Sequence, residues 1–271
     1  MDLAGSSAVV VGGSSGLGYA TAEMLSTRCE YVVVADLQQD RRTAVEAIGK
    51  NVRFVRTDVT DSEQVRGAVH EAASHAPLRV AVATAGVPGH GRILGSGGAM
   101  RIAEFERIVR VNLIGSAAVV VHAAEEMAGN DLVGEERGVI VLTSSIAALD
   151  GGNLGYAASK AGVAGMTLSA AHGLAPHGIR VMTIAPGIFN TPMFDGGRGT
   201  SEDLANMVPH PSRLGHPAEY AALVGHIADN AMLNGDVIRL DGSLRLPRLQ
   251  GRAVSAARPD AELGGVLKLR P

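Results

Sequence analysis

The sequence predicts a single α/β domain built on a doubly wound parallel sheet of about seven strands. Short β-branched runs alternate along the chain with longer amphipathic stretches, the order expected when strands are joined by crossover helices. Several of these runs are continuously apolar, among them "VVVA" at 32–35 and "VIVL" at 139–142. Such runs are typical of parallel strands that are covered on both faces.

The elements follow from these runs. Strands are predicted at Ala8–Val11, Tyr31–Ala35, Val52–Val55, Val80–Ala83, Val139–Thr143, Ile179–Ile184 and Asp236–Leu240, and long helices at Glu104–Met127 and Tyr156–Ala175. No repeat or low-complexity linker divides the chain, so residues 1–246 are predicted to form one domain. Residues 247–271 have no clear period and are interpreted as a C-terminal tail.

Composition narrows the class of protein. The 271 residues are 46% apolar and 19% charged, which allows a substantial core. With a net charge of −3, neither nucleic acid nor an anionic membrane is an expected partner, and the longest apolar runs are interrupted short of a membrane span. Cys29 is the only cysteine and Met1 lies close to the first predicted strand, so we expect no cleavable signal and a cytoplasmic location. The nine histidines are scattered without the paired spacing that metal ligands show, so we expect no metal site.

The first strand runs into a glycine-rich turn, "AVVVGGSSGLG". Glycine allows a tight turn and a close approach to phosphate, and the N-terminus of the following helix favours a bound anion. In this context the pattern predicts a Rossmann-like dinucleotide site. The expected contacts are Gly12, Ser14, Ser15, Gly16, Leu17 and Gly18.

Asp36 ends the second predicted strand, where a carboxylate accepts hydrogen bonds from an adenosine ribose and repels a 2′-phosphate. The sequence therefore predicts NAD rather than NADP, with Leu37 beside the same ribose. Arg41 and Arg42 follow closely, but they are interpreted as part of a solvated helix face. Further contacts are expected where the third and fourth strands end, from Asp58, Val59, Thr84, Ala85 and Gly86.

The stretch "LGYAASKAG" places Tyr156 and Lys160 four residues apart, on one face of a helix. A neighbouring ammonium stabilises phenolate and lowers the tyrosine pKa, which suits proton transfer between an alcohol and a carbonyl. Ser145 is predicted to bond the reacting oxygen, and Asn112 to hold a water behind the lysine. The alternative is an ordinary surface pair on a helix.

Together these motifs resemble the short-chain dehydrogenase/reductase family over about residues 3–246, and within it the type 2 3-hydroxyacyl-CoA dehydrogenases. The stretches "GVAGMTL", "LAPHGIRVMTIAPGIF", "PSRLGHPAEYA" and "LNGDVIRLDGSLR" carry the closer resemblance. It implies NAD-linked oxidation of a secondary alcohol, with the 3-hydroxyl of an acyl-CoA as the small-molecule substrate. A steroid-like or other alcohol, the reducing direction, and a non-catalytic dinucleotide-binding scaffold remain alternatives.

The resemblance also implies that Tyr156 and Lys160 contact the cofactor, with Lys160 holding the nicotinamide ribose. Pro186, Phe189 and Thr191 are expected against the nicotinamide, although Phe189 is alternatively a core residue. It implies a substrate lid at about 190–213 and a homotetramer. Several features depart from the family pattern, among them Arg79, at a position where an acid is common. Ala83 stands where Asn is frequent, and the stretch from Ser145 to Tyr156 is shorter than in relatives, which leaves Ser144 and Thr143 as further candidates for the serine's position.

Overall fold

The computed structural model describes residues 1–89, 93–95, 98–194 and 201–246. Its strands are β1 (Ser7–Val11), β2 (Tyr31–Asp36), β3 (Val52–Arg56), β4 (Leu78–Ala83), β5 (Leu94–Gly95), β6 (Gly98–Ala99), β7 (Gly138–Thr143), β8 (Ile179–Pro186) and β9 (Val237–Leu240). Seven of them form one sheet in the order β3-β2-β1-β4-β7-β8-β9. Every neighbouring pair in that sheet is parallel. The predicted fold class is confirmed. The antiparallel hairpin β5–β6 was not predicted.

The helices are α1 (Gly16–Ser26), α2 (Arg42–Glu46), α3 (Ser62–His75), α4 (Ile102–Val109), α5 (Gly115–Ala128), α6 (Ala147–Asp150), α7 (Leu154–Leu174), α8 (Ser201–Ala205) and α9 (Pro217–Asp229). Two of them begin at side-chain caps, which satisfy amide groups that the first helical turn leaves free. Asp61 accepts from the amides of residues 63 and 64 at the start of α3. Asn153 accepts from the Tyr156 amide at the start of α7.

Side chains alternate across the sheet, so each face has its own core. Val10 and Val34 belong to one apolar cluster with residues of α1 and α9, such as Leu25 and Ile227. Val9 belongs to a second cluster, with residues of α3, α5 and α7. All five residues of β1 are buried, as expected for the central strand of a doubly wound sheet.

The chain crosses from β3 back to the other side of β1 before it enters β4, so the strand order reverses between β1 and β4. Ligands of open α/β sheets bind at the carboxyl ends of the strands on either side of such a reversal. At that edge Val11 pairs with both Ala35 and Ala83. The topology therefore brings the ends of β1, β2 and β4 together at one crevice.

A π-helical segment, Arg110–Ile114, joins α4 to α5, so Ile102–Ala128 is one continuous helix. With 27 residues and a mean hydropathy of 1.4 it is long and apolar enough to cross a membrane, by length and composition only, as are many core helices of globular proteins. The expectation that every apolar run falls short of a span was therefore wrong by this criterion. Its charged residues lie near its two ends, and Val119, Ala123 and Met127 are buried against the sheet.

The two outermost strands of the sheet are β3 and β9, so β9 is an edge strand. Of the predicted lid, residues 190–194 and 201–213 are described and include a short 3₁₀ helix, Pro192–Phe194, and α8. Residues 195–200 of that lid and the predicted tail, 247–271, lie outside the described residues.

Candidate active site

The glycine turn after β1 is held against the end of β4. Gly12 has φ of +84°, and a side chain there would overlap the backbone of Thr84 and Ala85. A side chain on Gly18 would overlap the Gly12 carbonyl. The Thr84 hydroxyl donates to the carbonyls of Val11 and Gly12, both at 3.0 Å. The close contacts require glycine, and they leave the turn open towards the crevice.

Asp36 lies at the end of β2, as predicted. Its Oδ2 accepts from the Ser14 amide at 3.1 Å and its Oδ1 from the Gln38 amide at 3.1 Å. Each carboxylate oxygen has further lone pairs, so the carboxylate is fixed in position but keeps acceptor capacity. Neither Arg41 nor Arg42 lines the crevice, in agreement with their interpretation as a solvated face.

A cavity of about 490 Å³ occupies the crevice between β1 and β4. It is lined by thirteen of the predicted contacts: Gly12, Ser15, Gly16, Leu17, Gly18, Asp36, Leu37, Asp58, Val59, Thr84, Ala85, Gly86 and Thr191. Its glycine-lined turn at a helix N-terminus suits a pyrophosphate, and Asp36 suits a ribose. These residues therefore fit a dinucleotide.

Tyr156 and Lys160 share one face of α7, as predicted. The Lys160 Nζ lies 5.9 Å from the centroid of the Tyr156 ring. Lys160 is only 3% exposed, and its ammonium group donates to the Thr143 carbonyl at 2.7 Å. A side chain on Gly86, in the cavity wall, would come within 3.4 Å of that Nζ, so the pair lies directly behind the wall of the cavity.

The pKa values of this pair differ from the expectation. Burial lowers the pKa of Lys160 to about 8. Burial raises the pKa of Tyr156, and a hydrogen bond with Ser145 opposes that rise. The predicted lowering of the tyrosine pKa by Lys160 is wrong for this structure, because the ammonium is directed to the Thr143 carbonyl and desolvation dominates at the phenol.

The structure separates the three candidates for the serine position. The Ser144 hydroxyl donates to the Lys160 carbonyl at 2.7 Å, and the Thr143 hydroxyl is bonded to the Tyr220 hydroxyl at 2.7 Å. Ser145 is the one that meets Tyr156, and its Oγ also accepts from the Ala147 amide at 3.1 Å. The geometry therefore favours Ser145.

Asn112 lies in the π-helical segment and is fully buried. Its Oδ1 accepts from the Val87 amide at 2.8 Å, and its Nδ2 donates to the Val87 carbonyl at 3.1 Å and to Ser159 Oγ at 3.0 Å. Both amide protons are therefore used within the protein. The structure gives this side chain a role that the sequence did not indicate, since it fixes the loop after β4 to α7. That Asn112 also holds a water stays a prediction.

Five predicted cofactor contacts do not line the described cavity: Ser14, Tyr156, Lys160, Pro186 and Phe189. Ser14 is buried, and its amide supports Asp36 instead. Pro186 completes β8 within the sheet. Phe189 is 4% exposed, packs in the apolar cluster beneath α9 and lies against Gly215, so the core alternative holds for it. Thr191, by contrast, lines the cavity opposite Gly16, where an added side chain would come within 3.0 Å of its methyl group.

Sequence reasoning missed several residues of the cavity wall: Gln38, Thr57, Thr60, Val87, Arg107, Val111, Pro192 and Met193. Some of them, such as Gln38 and Thr60, lie beside a predicted contact, and their position after a strand could have indicated them. Arg107 and Val111 come from the helix of the π segment and carry no recognisable signal. Within the described ranges, no group of three or more His, Cys, Asp or Glu side chains is placed to hold a metal ion.

Comparison with known proteins agrees with this geometry. The family model described as short chain dehydrogenase matches residues 6–201. The chain is 44% identical to the 3-hydroxyacyl-CoA dehydrogenases type-2 of Bos taurus and Homo sapiens, in each case over 247 residues that cover 88% of this chain and 95% of the relative. A crystal structure of 3-hydroxyacyl-CoA dehydrogenase type-2 from Mycobacterium avium superimposes with a TM-score of 0.85 at 37% identity, covering 90% of this chain and 97% of that one.

Proposed function

The chain belongs to the short-chain dehydrogenase family, and from this premise we propose that it interconverts a 3-hydroxyacyl-CoA and a 3-oxoacyl-CoA with NAD. The observation that carries the proposal is the grouping of Ser145, Tyr156 and Lys160 directly behind a cavity that fits a dinucleotide. Relatives named 3-hydroxyacyl-CoA dehydrogenase type-2, which match nearly their whole length, support the choice of substrate.

In this proposal the protein's own residues position the alcohol and move its proton. Ser145, held by the Ala147 amide, orients the substrate hydroxyl. Tyr156 in its ionised form accepts the proton from that hydroxyl, and as a phenol it returns the proton in the reducing direction. Lys160 lies beside it on α7, with its ammonium group held by the Thr143 carbonyl. NAD, when bound, supplies the group that accepts the hydride from the alcohol carbon. The described parts of the lid, residues 190–194 and 201–213, are proposed to cover the substrate, and the apolar side chains of Met193 and Met207 suit an acyl chain.

NAD is proposed over NADP because the Asp36 carboxylate faces the ribose part of the cavity and would repel a 2′-phosphate. We expect wild-type protein to bind NAD much more tightly than NADP in calorimetric titrations. Asp36→Ala should narrow that preference, while Asp40→Ala, an acidic residue on the neighbouring 3₁₀ turn, should leave it unchanged. Tighter binding of NADP by the wild type would contradict the proposal.

The substrate is tested by following absorbance at 340 nm with NAD and a panel of alcohols. The panel contains short and long 3-hydroxyacyl-CoA esters, the matching 3-hydroxy acids without CoA, and hydroxysteroids. The proposal expects the highest kcat/KM with an acyl-CoA ester. A higher kcat/KM with a hydroxysteroid would show that steroids are the preferred substrate class. An absence of turnover with every alcohol would favour a role in dinucleotide binding without catalysis.

We further propose a homotetramer in the cytoplasm, with no nucleic-acid or membrane partner. The tetramer is supported by exposed apolar side chains on the long helices, such as Val121 at 60% and Leu168 at 53% exposure. The location is supported by the single cysteine, Cys29, which suits a reducing compartment. The net charge of −3 gives no overall attraction to anionic partners.

A further inference from the structure

A third apolar cluster, here called the cap core, is formed by Ile146, Ile188, Val208 and Leu244, all at most 8% exposed. Each comes from a different segment. Ile146 follows Ser145, Ile188 follows the Pro186-Gly187 turn, Val208 lies in the lid, and Leu244 follows β9. The cap core therefore joins the segments that surround the proposed reaction site.

Arg239, on edge strand β9, ties this cluster together. Its Nη1 and Nη2 donate to the two carboxylate oxygens of Asp150 at 2.8 and 2.9 Å. Its Nε donates to Asp241 Oδ2 at 2.6 Å, and Nη2 also donates to the Leu244 carbonyl at 2.8 Å. The side chains of Asp150 and Asp241 are 10% and 7% exposed. This is a bidentate, largely desolvated pair, which fixes geometry more strictly than an exposed ion pair does.

The residues after β9 are folded tightly around the same pair. The Leu246 amide donates to Asp150 Oδ2 at 3.1 Å, and the Ser243 amide donates to Asp241 Oδ1 at 2.9 Å. Ser243 has φ of +68°, an uncommon conformation for a residue other than glycine. A side chain on Gly242 would come within 2.6 Å of Val208. This terminal segment, residues 241–246, is thus held against the lid.

Asp150 in turn ends α6, the helix that starts directly after Ser145. The Ser145 carbonyl accepts from the Ala148 amide at 3.0 Å, and its Oγ accepts from the Ala147 amide at 3.1 Å. The Asp150 amide donates to the Ile146 carbonyl at 2.9 Å. The hydrogen-bonded backbone of residues 146–150 therefore connects the Asp150–Arg239 ion pair to Ser145, the serine that is hydrogen-bonded with Tyr156.

We propose that Asp150 and Arg239 are positioning residues, which hold Ser145 and the lid in register for catalysis by anchoring α6 to the terminal segment. The proposal rests on the proposed function for its kinetic readout. Displacements of about 1 Å in an oriented site cost on the order of 100-fold in rate. Loss of the Asp150 charge leaves Arg239 held by Asp241 and the Leu244 carbonyl, so the anchor of α6 is weakened. Neither residue contacts the dinucleotide cavity, so cofactor binding is not part of their role.

The test compares Asp150→Asn, Arg239→Lys and the double variant with a control at a second ion pair. That pair lies at the amino-terminal end of the strands, away from the proposed site. Glu136 and Arg180 form a buried ion pair, 9% and 6% exposed, near the start of β8, and Glu136→Gln removes its charge. We expect kcat with a 3-hydroxyacyl-CoA to fall by about tenfold or more in Asp150→Asn and Arg239→Lys, with KM for NAD changed less than about twofold. The double variant should be little worse than the poorer single variant, because coupled residues are not additive. Glu136→Gln should lower Tm and leave kcat near wild type.

Amide hydrogen exchange gives a readout that needs no substrate. Exchange should accelerate at residues 146–151 and 208–210 in Asp150→Asn and stay unchanged there in Glu136→Gln. A wild type that does not turn over any 3-hydroxyacyl-CoA would overturn the proposed function, and exchange would then decide the positioning role alone. Unchanged exchange at α6, or equal loss of kcat in Asp150→Asn and Glu136→Gln, would overturn the positioning role.

Discussion

At the scale of single residues, the site depends on where each polar atom is directed. Three adjacent side chains at the end of β7 face three different partners: Thr143 bonds Tyr220, Ser144 bonds the Lys160 carbonyl, and Ser145 meets Tyr156. Spacing along the chain left these three residues as alternatives, because the segment before Tyr156 is short. The pleat and the bend into α6 decide between them.

Tyr156→Phe tests the acid–base role. The variant keeps the ring and loses only the hydroxyl, so we expect kcat to fall by roughly 10²–10⁴-fold with the Kd for NAD almost unchanged. Steady-state kinetics and calorimetric titration measure the two quantities. Tyr31→Phe is the matched control, since the Tyr31 hydroxyl bonds Glu71 away from the site. Retention of more than about a tenth of the activity would mean that another group carries the proton.

At the scale of elements, the strands were predictable and their irregular surroundings were not. Each predicted strand end lies within two residues of the structure, because fully buried parallel strands are continuous apolar runs. The hairpin β5–β6 consists of Leu94, Gly95, Gly98 and Ala99, which show no alternation. The π-helical segment interrupts neither the apolar pattern nor the helix, so only coordinates reveal that it directs Asn112 to Val87.

The same limit explains the site. Residues that follow strands, such as Asp36 and Thr84, line the cavity as predicted, because the carboxyl ends of parallel strands share one edge of the sheet. Phe189 was misplaced because an aromatic residue after a Pro-Gly turn suits a cofactor contact and a core position equally well. The clamp between Asp150 and Arg239 joins residues far apart in the chain, and no local pattern indicates it.

Asn112→Ala tests the link between the π-helical segment and the loop after β4. The change leaves the Val87 amide without its partner, and a buried unpaired donor costs about 1–3 kcal/mol. We expect a lower free energy of unfolding in urea titration and a kcat reduced by about tenfold or more, because Gly86 and Lys160 lose their fixed separation. Asn130→Ala removes a similar hydrogen bond, from Nδ2 to the Leu78 carbonyl, at the amino-terminal end of β4. It should cost stability alone, and an equal loss of kcat in both variants would contradict the proposed role of Asn112.

At the scale of the whole molecule, the buried lysine of the site makes stability depend on pH. Burial lowers the pKa of Lys160 from 10.5 to about 8, so between those values the unfolded chain binds more protons than the folded one. The free energy of unfolding of the wild type should therefore rise with pH relative to Lys160→Met across that window, by up to roughly 3 kcal/mol. Urea titrations from pH 7 to 10.5 measure the difference. Lys50→Met, a change at an exposed position, should follow the same pH dependence as the wild type, because it retains Lys160. A parallel pH dependence of the wild type and Lys160→Met would contradict the lowered pKa.

Assembly also belongs to this scale. The long helices expose Ile114, Val121 and Leu168 at 53%, 60% and 53%, and Ala117, Ala161 and Ala164 are small enough for helices to approach closely across a two-fold axis. Gly115 and Ser116, which were expected in the same contact, are buried within the subunit instead. We expect light scattering at micromolar concentration to give a mass about four times, and at least twice, the chain mass of 27.8 kDa. Val121→Lys combined with Leu168→Glu should lower that mass, because charges would be buried in the contact. Leu132→Glu, at an equally exposed leucine in the loop between α5 and β7, should leave it unchanged. A monodisperse wild-type species near 27.8 kDa would rule the assembly out.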